Sequence, residues 1–282
     1  MIAYLTAIAT LVGVRALVTL GLNVQWGMAG LVNLGAVAFF AVGAYTSALL
    51  AVGGTPLLFA WPAAVGLAAA AGAGLAMVAL RLREDYLAIV TLGFGEVLRL
   101  FLLNEAWLTR GANGVTAIPR PLHAQFTGHY DVFYLVLVLA TVAVGVMALA
   151  QAFLLRTRLG IAMRATADNA LLAAAKGVPT ERVIAAATLG GGALAGGAGV
   201  FLGLDASIDP LMGGGLIISV FAAAILGGIG SAPGALAGAL IVGIVEEVGM
   251  LVVPPTYKTA IGFVIILAVL LVRPTGLAGA RT

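Results

Sequence analysis

The chain has 282 residues, of which 62% are hydrophobic and 9% are charged, and its formal net charge is +3. Soluble domains carry about 25% charged residues, so this composition excludes a water-soluble globular fold, whose surface would need more polar side chains. The chain has no cysteine, which excludes disulfides and thiolate metal sites. No basic patch is interleaved with aromatic residues, so we expect no nucleic-acid partner.

Long hydrophobic runs predict an all-α, polytopic membrane helix bundle. Several approach or exceed the roughly 20 residues that cross a hydrocarbon core. They are apolar on all faces, whereas the strands of a membrane β-barrel would alternate apolar and polar residues. We predict a single transmembrane domain over 1–282. Its nine segments lie at about 2–22, 28–50, 57–80, 86–104, 133–155, 183–204, 212–229, 234–253 and 258–272.

Two parts of this assignment allow a second interpretation. Only the patch NVQWGMAG separates the first two, and it could be a break within one longer discontinuous element. The segment at 212–229 is short and flanked by glycines, so it could re-enter the membrane rather than cross it.

Basic residues in short loops predict the orientation, because such loops stay in the cytoplasm. The stretch from Arg156 to Arg182 holds five of the 14 basic residues. If this loop is cytoplasmic, alternation places Arg81–Asp85 and the C-terminal stretch with Arg273 inside as well. The loop that follows Asn104 and the N-terminus would then be outside. His123 and His129 lie in that outer loop without a cluster of neighbouring ligands, so we expect no metal site.

Glycine accounts for 39 residues and recurs about every four positions in LGGGALAGGAGVFLG and SAPGALAGALIVG. In lipid, such small-residue faces let helix backbones approach closely. The stretches Val37–Leu50 and Val220–Leu236 also echo each other, each with an aromatic residue, a small-residue run and a glycine break. This echo makes an inverted repeat a candidate feature of the fold.

A few polar residues within the apolar segments are candidates for function, because ionisable groups in membranes are costly. Glu96 and Arg99 lie three residues apart and share a helix face, either as a structural ion pair or as part of a wet cavity or gate. Arg15 is isolated in the first segment and is expected to pair with an acid elsewhere, for example Glu246 or Glu247.

The other polar candidates are uncharged side chains in the second segment and carboxylates near the outer face. Asn33 and Thr46 supply hydrogen-bonding groups either to other helices or to a translocation pathway. Asp205 and Asp209 are candidates for contact with an external binding protein or for simple helix caps.

The sequence of the basic loop is typical of a helix that lies between two membrane segments. Its run IAMRATADNALLAAAK follows Gly160, and Gly177 with Pro179 supplies stop signals. It is too polar to span a membrane. One interpretation is a solvated, positive-inside loop, and the other is a docking helix on the membrane surface for a cytoplasmic partner.

The loop resembles the cytoplasmic coupling loop of bacterial ABC importer permeases, and most of all that of the branched-chain amino-acid permeases. The family pattern is matched by Gly160, Arg164, Ala165, Asp168 (or its neighbour), Ala173 and Gly177. The glutamate of the EAA signature of many importer permeases is absent. Similar resemblances come from LNVQWGMAGLVNLGAVAFFAVGAYTSALLA, LRLREDYLAIVTLGFGEVLRL, AAAILGGIGSAPGALAGALIVGIVEE and VRPTGL.

This resemblance implies a multi-pass permease subunit of the bacterial cytoplasmic (inner) membrane. Its partners would be a second permease of the same family, two cytoplasmic ATPases and a periplasmic or lipid-anchored substrate-binding protein. The chain has no G-x-x-x-x-G-K-[ST] loop, so it should bind no cofactor and the partner ATPases would bind ATP and Mg²⁺. Transport would proceed by alternating access.

Three other functions remain to be weighed against this one. Importers of urea and short-chain amides share the same signatures, which leaves the substrate open. An ion-coupled secondary transporter is the second alternative, and Glu96 supports it. An intramembrane enzyme is disfavoured, because neither a serine–histidine pair nor an H-E-x-x-H motif is present.

Overall fold

A computed structural model describes residues 2–80, 82, 84–121, 156–205, 207–254, 257–273 and 276–278, with a few isolated positions between 132 and 153. These residues form helices joined by turns, and an isolated antiparallel bridge joins Val115 to Ile208. The predicted all-α class is therefore confirmed. Most of the predicted segment at 133–155 lies outside the described residues, and so do His123 and His129.

The described part of the chain contains eleven α-helices and a short 3₁₀ turn at Gly111–Asn113. In chain order the helices are α1 (Ile2–Ala29), α2 (Ala36–Val52), α3 (Leu57–Ala79), α4 (Glu84–Asn104), α5 (Ala106–Thr109), α6 (Arg158–Asp168), α7 (Ala170–Ala175), α8 (Thr180–Asp205), α9 (Gly214–Gly227), α10 (Ala232–Gly249) and α11 (Lys258–Val272).

Five of these helices, α1, α3, α4, α8 and α10, are long and apolar enough to cross a membrane. Helices α2, α9 and α11 are apolar but have only 17, 14 and 15 residues. At 1.5 Å per residue α9 is about 21 Å long, short of a hydrocarbon core of about 30 Å. This length fits the re-entrant alternative for 212–229. The chain is a multi-pass membrane protein, while the number of nine segments stays a prediction.

The first helix continues seven residues beyond the predicted end at residue 22, and the break falls at 30–35, which includes only the last residue of NVQWGMAG. The polar residue that begins this patch stays helical, and its side chain has partners on a distant loop. Asn23 donates to the Ser231 carbonyl at 2.8 Å and accepts from the Gly230 amide at 2.7 Å. The patch is therefore neither a connection between two segments nor a break within a longer one, because all of it except Gly30 belongs to α1.

Helices α1 and α8 pack against each other in opposite directions at the centre of the bundle. Val24 and Met28, near the end of α1, share an apolar cluster with Val183 and Ala187, near the start of α8. Helix α8 also packs on α2 and α3, and α1 packs on α9 and α10. Helix α4 in turn packs on α2, as α11 does on α9. This correspondence of four helices with four supports an inverted repeat.

The two echoing stretches of the sequence are nevertheless not equivalent in structure. The stretch 37–50 lies within one continuous helix, α2, whereas 220–236 covers the end of α9, a loop and the start of α10. Gly228 and Gly230, with φ of +100° and +90°, break the helix there, since L side chains rarely adopt such values. The packing makes α2 the counterpart of α9. In that alignment the two echoing stretches are offset from each other by several residues.

Small residues bring the helix backbones together, as the sequence predicts. A Cβ on Gly43 of α2 would lie 2.2 Å from the Gly196 carbonyl oxygen of α8, and one on Gly238 of α10 would lie 2.0 Å from that of Ala223. Such separations are closer than side chains allow, so these glycines are required by backbone contact.

Candidate functional site

The two ends of the bundle have different apolar clusters, and the basic stretches gather at one of them. Met163 of α6 packs there with Ala79, Leu87, Val183 and Ala232, which are at or near the ends of four other helices. The connection between α3 and α4 thus lies at the same end as the 156–182 loop. The C-terminal stretch joins this end too, because the amides of residues 277 and 278 donate to the last turn of α9. The three connections that the sequence predicted to share one side of the membrane therefore do lie at one end of the bundle.

The loop at 156–182 contains two short helices, not the single helix that the sequence predicted. Helix α6 begins at Arg158, before Gly160, with the Thr157 hydroxyl accepting from the Gly160 amide at 3.0 Å. Asn169 interrupts it in an extended conformation and caps α7 by accepting from the Leu172 amide at 2.9 Å. Asparagine is a favoured N-cap, which explains the break. Gly177 has φ of +85°, as expected of a residue that ends a helix.

One face of α6–α7 is anchored in the bundle. Gly160, Met163 and Thr166 of α6 and Ala173 of α7 are buried. Helix α6 packs on α1 and α8, the two central antiparallel helices. A force applied to α6 would therefore act directly on the core of the bundle.

The opposite face of α6–α7 is exposed and combines apolar with charged side chains. Leu171 is 85% exposed, and Ile161 and Leu172 are more than half exposed. Arg164 and Asp168 are also exposed on this side, while Ala165 is half-buried. We refer to these six residues as the docking face, after the role that the sequence predicted for this loop. Exposed apolar side chains rimmed by charges occur at sites that bind proteins or the membrane surface.

Replacing Asn169 with alanine is expected to fray α7 and cost about 1 kcal/mol of local stability, the usual value of an N-cap side chain. Hydrogen exchange of the amides of residues 170–175 measures this. Asn169→Asp keeps the capping oxygen and serves as the matched control. Equal exchange rates in the alanine variant and the wild type would contradict the cap.

Arg15 lies in a buried network of charges that links four helices, and its predicted pairing with Glu246 and Glu247 is confirmed. Its two terminal nitrogens contact the two carboxylates of α10 at 2.9 and 3.1 Å. Lys258 of α11 contacts Glu247 at 2.7 Å, and the Ser219 hydroxyl of α9 donates to Glu246 at 2.5 Å. Two positive and two negative charges balance, which permits burial.

Asn33 is buried at the break between α1 and α2. Its side-chain amide donates to Gln25 at 2.5 Å, and its oxygen accepts from the Gly35 amide at 2.8 Å. Both bonds shape the break itself. Thr46 is half-buried on α2.

Glu96 and Arg99 form the predicted ion pair on one face of α4, with two contacts of 2.5 and 2.9 Å. Their side chains are 55% and 31% exposed. They line a groove of about 130 Å³ bounded by α4 and the first residues of α2 and α9. The rest of its lining is largely apolar and includes Leu34, Val37, Ala38, Ala41 and Leu98. The sequence predicted the pair and offered a cavity as one of its two interpretations, but it did not indicate which helices bound the groove.

Asp209 lies at the end of the bundle opposite the docking face. It follows Ile208, which packs there with Tyr45, Leu102 and Val115. The Asp209 carboxylate accepts from the Leu211 amide at 2.7 Å, so it closes a turn and does not cap a helix, as one of the two interpretations had expected. Asp205 is the last residue of α8.

Within the described residues, no group of three His, Asp or Glu side chains could hold a metal ion. The arrangement instead consists of a bundle with an exposed docking face at one end, a charged groove on its side and a buried charge network. These features define a polytopic helical membrane protein.

Comparison with a family model identifies the family of the chain. The model described as "Branched-chain amino acid transport system / permease component" matches residues 4–270. The chain therefore belongs to the family of branched-chain amino-acid ABC transport permeases, as the sequence resemblance indicated.

Individual relatives agree with this family. The permease protein LivH of Escherichia coli K12 is 33% identical over 96% of this chain and 92% of its own length. BraD of Pseudomonas aeruginosa is 30% identical over 94% of this chain and 91% of its own. LivM of E. coli K12 is 51% identical over 40% of this chain and 27% of its own. All three are named as high-affinity branched-chain amino acid transport system permease proteins. No solved structure matches the chain.

Proposed function

We propose that this chain is one membrane subunit of a binding-protein-dependent importer in a bacterial cytoplasmic membrane. It moves branched-chain amino acids inward by alternating access. Two cytoplasmic ATPases supply the energy and bind the ATP and Mg²⁺, a second permease of the same family completes the pathway, and a periplasmic or lipid-anchored binding protein delivers the substrate.

The docking face carries this proposal. It presents Ile161, Leu171 and Leu172 together with Arg164 and Asp168, while its inner side is fixed to α1 and α8. A solvated loop that only set the topology would not need three exposed aliphatic side chains on helices whose other face is buried. A soluble ATPase seated here would transmit its closure to the central helix pair.

The remaining candidate residues are assigned to roles away from the docking face. Glu96, Arg99 and Thr46 are assigned to the translocation pathway, and Asn33 to shaping the break beside it. Asp205 and Asp209 are assigned to contact with the binding protein, because Asp209 lies at the end opposite the docking face.

Charge reversal on the docking face is expected to separate the subunits without unfolding the chain. Arg164→Glu and Asp168→Arg should each reduce co-purification of the ATPases at least about tenfold, a loss of about 1.4 kcal/mol of binding free energy. The reason is that both positions are exposed where the ATPase would bind.

Arg110→Glu is the matched control, since Arg110 is exposed in the loop that follows α4, the connection predicted to be external. All three variants should elute from size-exclusion chromatography as the wild type does when the chain is purified alone. Wild-type ATPase binding and transport in both docking-face variants would refute the assignment.

A further inference from the structure

Glu96 and Arg99 lie on α4 where a lipid-facing charge pair would be expensive. The apolar span runs from Tyr86 to Asn104, and both residues lie within about one helical turn of its middle. Helix α4 is the least buried of the five long apolar helices. Ionised side chains at this depth mark wet cavities or substrate pathways far more often than lipid contacts.

The groove beside the pair is apolar and has the size of one aliphatic side chain. Its volume is about 130 Å³, close to the roughly 150 Å³ of an apolar cavity that holds benzene. The lining residues of α4, from Leu92 through Gly95 and Leu98 to Leu102, follow helical spacing and form one face. The groove therefore offers an apolar wall adjacent to a positive and a negative charge.

We infer that this groove is a transient binding site for a zwitterionic aliphatic amino acid during its passage. The inference rests on the proposed function and names the contacts that the substrate makes. The Arg99 guanidinium contacts Glu96 through Nε and Nη2, and its other edge, formed by Nη1 and Nη2, binds the α-carboxylate of the substrate. The Glu96 carboxylate accepts from the α-ammonium group. The branched side chain occupies the apolar part lined by Val37, Ala38 and Ala41.

Electrostatics favours a zwitterion over other solutes at this position. The Glu96–Arg99 pair is neutral overall, and a bound zwitterion adds one charge of each sign beside its counter-charge. No unpaired charge is then left in a medium of low dielectric constant. An uncharged amide such as urea would gain neither ion pair, and it would leave the apolar wall uncovered.

The position of the groove agrees with how discontinuous helices are used in transporters. It lies where α2 begins after the 30–35 break and where α9 begins after residues 207–213. Transporter substrate sites commonly form where interrupted helices from two repeats meet. Here the two interrupted helices are the members α2 and α9 of the correspondence described above.

The charge part of the site is tested by uptake of radiolabelled leucine into proteoliposomes that hold the whole transporter, namely this chain with its partner permease, ATPases and binding protein. Glu96→Gln and Arg99→Gln should each lower uptake about tenfold or more. ATPase co-purification and wild-type assembly should be retained. The paired exchange of Glu96→Arg with Arg99→Glu keeps an ion pair on α4. Recovery of uptake in this exchange would show a merely structural pair and overturn the inference, whereas continued loss supports it.

The apolar part of the site is tested by a matched pair of glycine variants on α4. Gly95 lines the groove, and its added Cβ would make only an ordinary 3.7 Å contact with Gly35. Gly93 is exposed, and nothing lies within 4 Å of its added Cβ. Gly95→Leu should lower leucine uptake more than valine uptake, while Gly93→Leu should change neither. Equal effects of the two variants would overturn the inference.

Failure of the site and failure of the function give different results. If the wild-type transporter takes up leucine with ATP and the charge variants behave like it, the site is wrong and the importer stands. If the charge variants lose the partner permease on purification, the pair is an interface contact and the inference is overturned. If the wild type shows no ATP-dependent leucine uptake, the proposed function itself fails.

Discussion

Replacing Arg15 with methionine is expected to lower the free energy of unfolding by about 3–5 kcal/mol, the usual cost of removing one partner from a buried ion pair. The Arg15 side chain is only 8% exposed and contacts Glu246 and Glu247. Without it, two buried carboxylates share the single positive charge of Lys258. Thermal unfolding of the detergent-solubilised chain, followed by intrinsic fluorescence, measures the loss.

A second variant separates charge imbalance from lost packing. Arg15→Met combined with Glu246→Gln restores neutrality, because Lys258 remains paired with Glu247. The double variant should therefore be more stable than Arg15→Met alone. Lys258→Met should cost less than Arg15→Met, since the Lys258 side chain is 29% exposed and contacts one carboxylate. A double variant no more stable than the single one would contradict the charge-balance argument.

The second large effect is expected from Gly199→Ala on α8. The added Cβ would lie 2.0 Å from the Phe40 carbonyl oxygen and 2.8 Å from the Ala44 amide nitrogen of α2. Both neighbours are backbone atoms, so the two helices must move apart. Such overpacking typically costs 1–3 kcal/mol or more. Thermal unfolding of the purified chain reports the cost.

Gly197→Ala is the matched control for this change. It lies two residues away on the same helix, and its added Cβ meets only a side-chain carbon of Val65 at 3.9 Å. Since alanine favours helix by up to about 1 kcal/mol over glycine, this variant should be as stable as the wild type or more so. Similar destabilisation by both alanines would show that backbone contact does not explain the α2–α8 packing.

Much of this architecture could be predicted because it depends on local chemistry. Apolar runs predicted helices, glycines at regular spacing predicted close approach, and basic residues predicted which connections share an end. The sequence also predicted that Arg15 pairs with a distant acid, because a lone charge in an apolar helix needs a counter-charge and the chain has few acids. Glu246 and Glu247 were the obvious candidates in the C-terminal half.

What the sequence could not predict depends on contacts between distant elements. Asn23 keeps α1 helical through the NVQWGMAG patch because a loop more than 200 residues away binds its side chain. No feature of the sequence near Lys258 or Ser219 indicated that these residues belong to the charge network. The Asn169 break was signalled by an asparagine inside a helical run, a common N-cap residue that the single-helix prediction overlooked. The groove beside Glu96 is formed by three helices, so no single segment of the sequence indicates it.

ATP-dependent uptake of radiolabelled leucine tests the central claim most directly. Vesicles would hold this chain with its partner permease, the two ATPases and the binding protein, and urea would be offered in parallel. We predict leucine uptake that is lost when the ATPases are omitted. Urea uptake alone would keep the importer and change its substrate. Uptake that persists without the ATPases and follows an ion gradient would contradict the account, because the docking face would then have no role in transport.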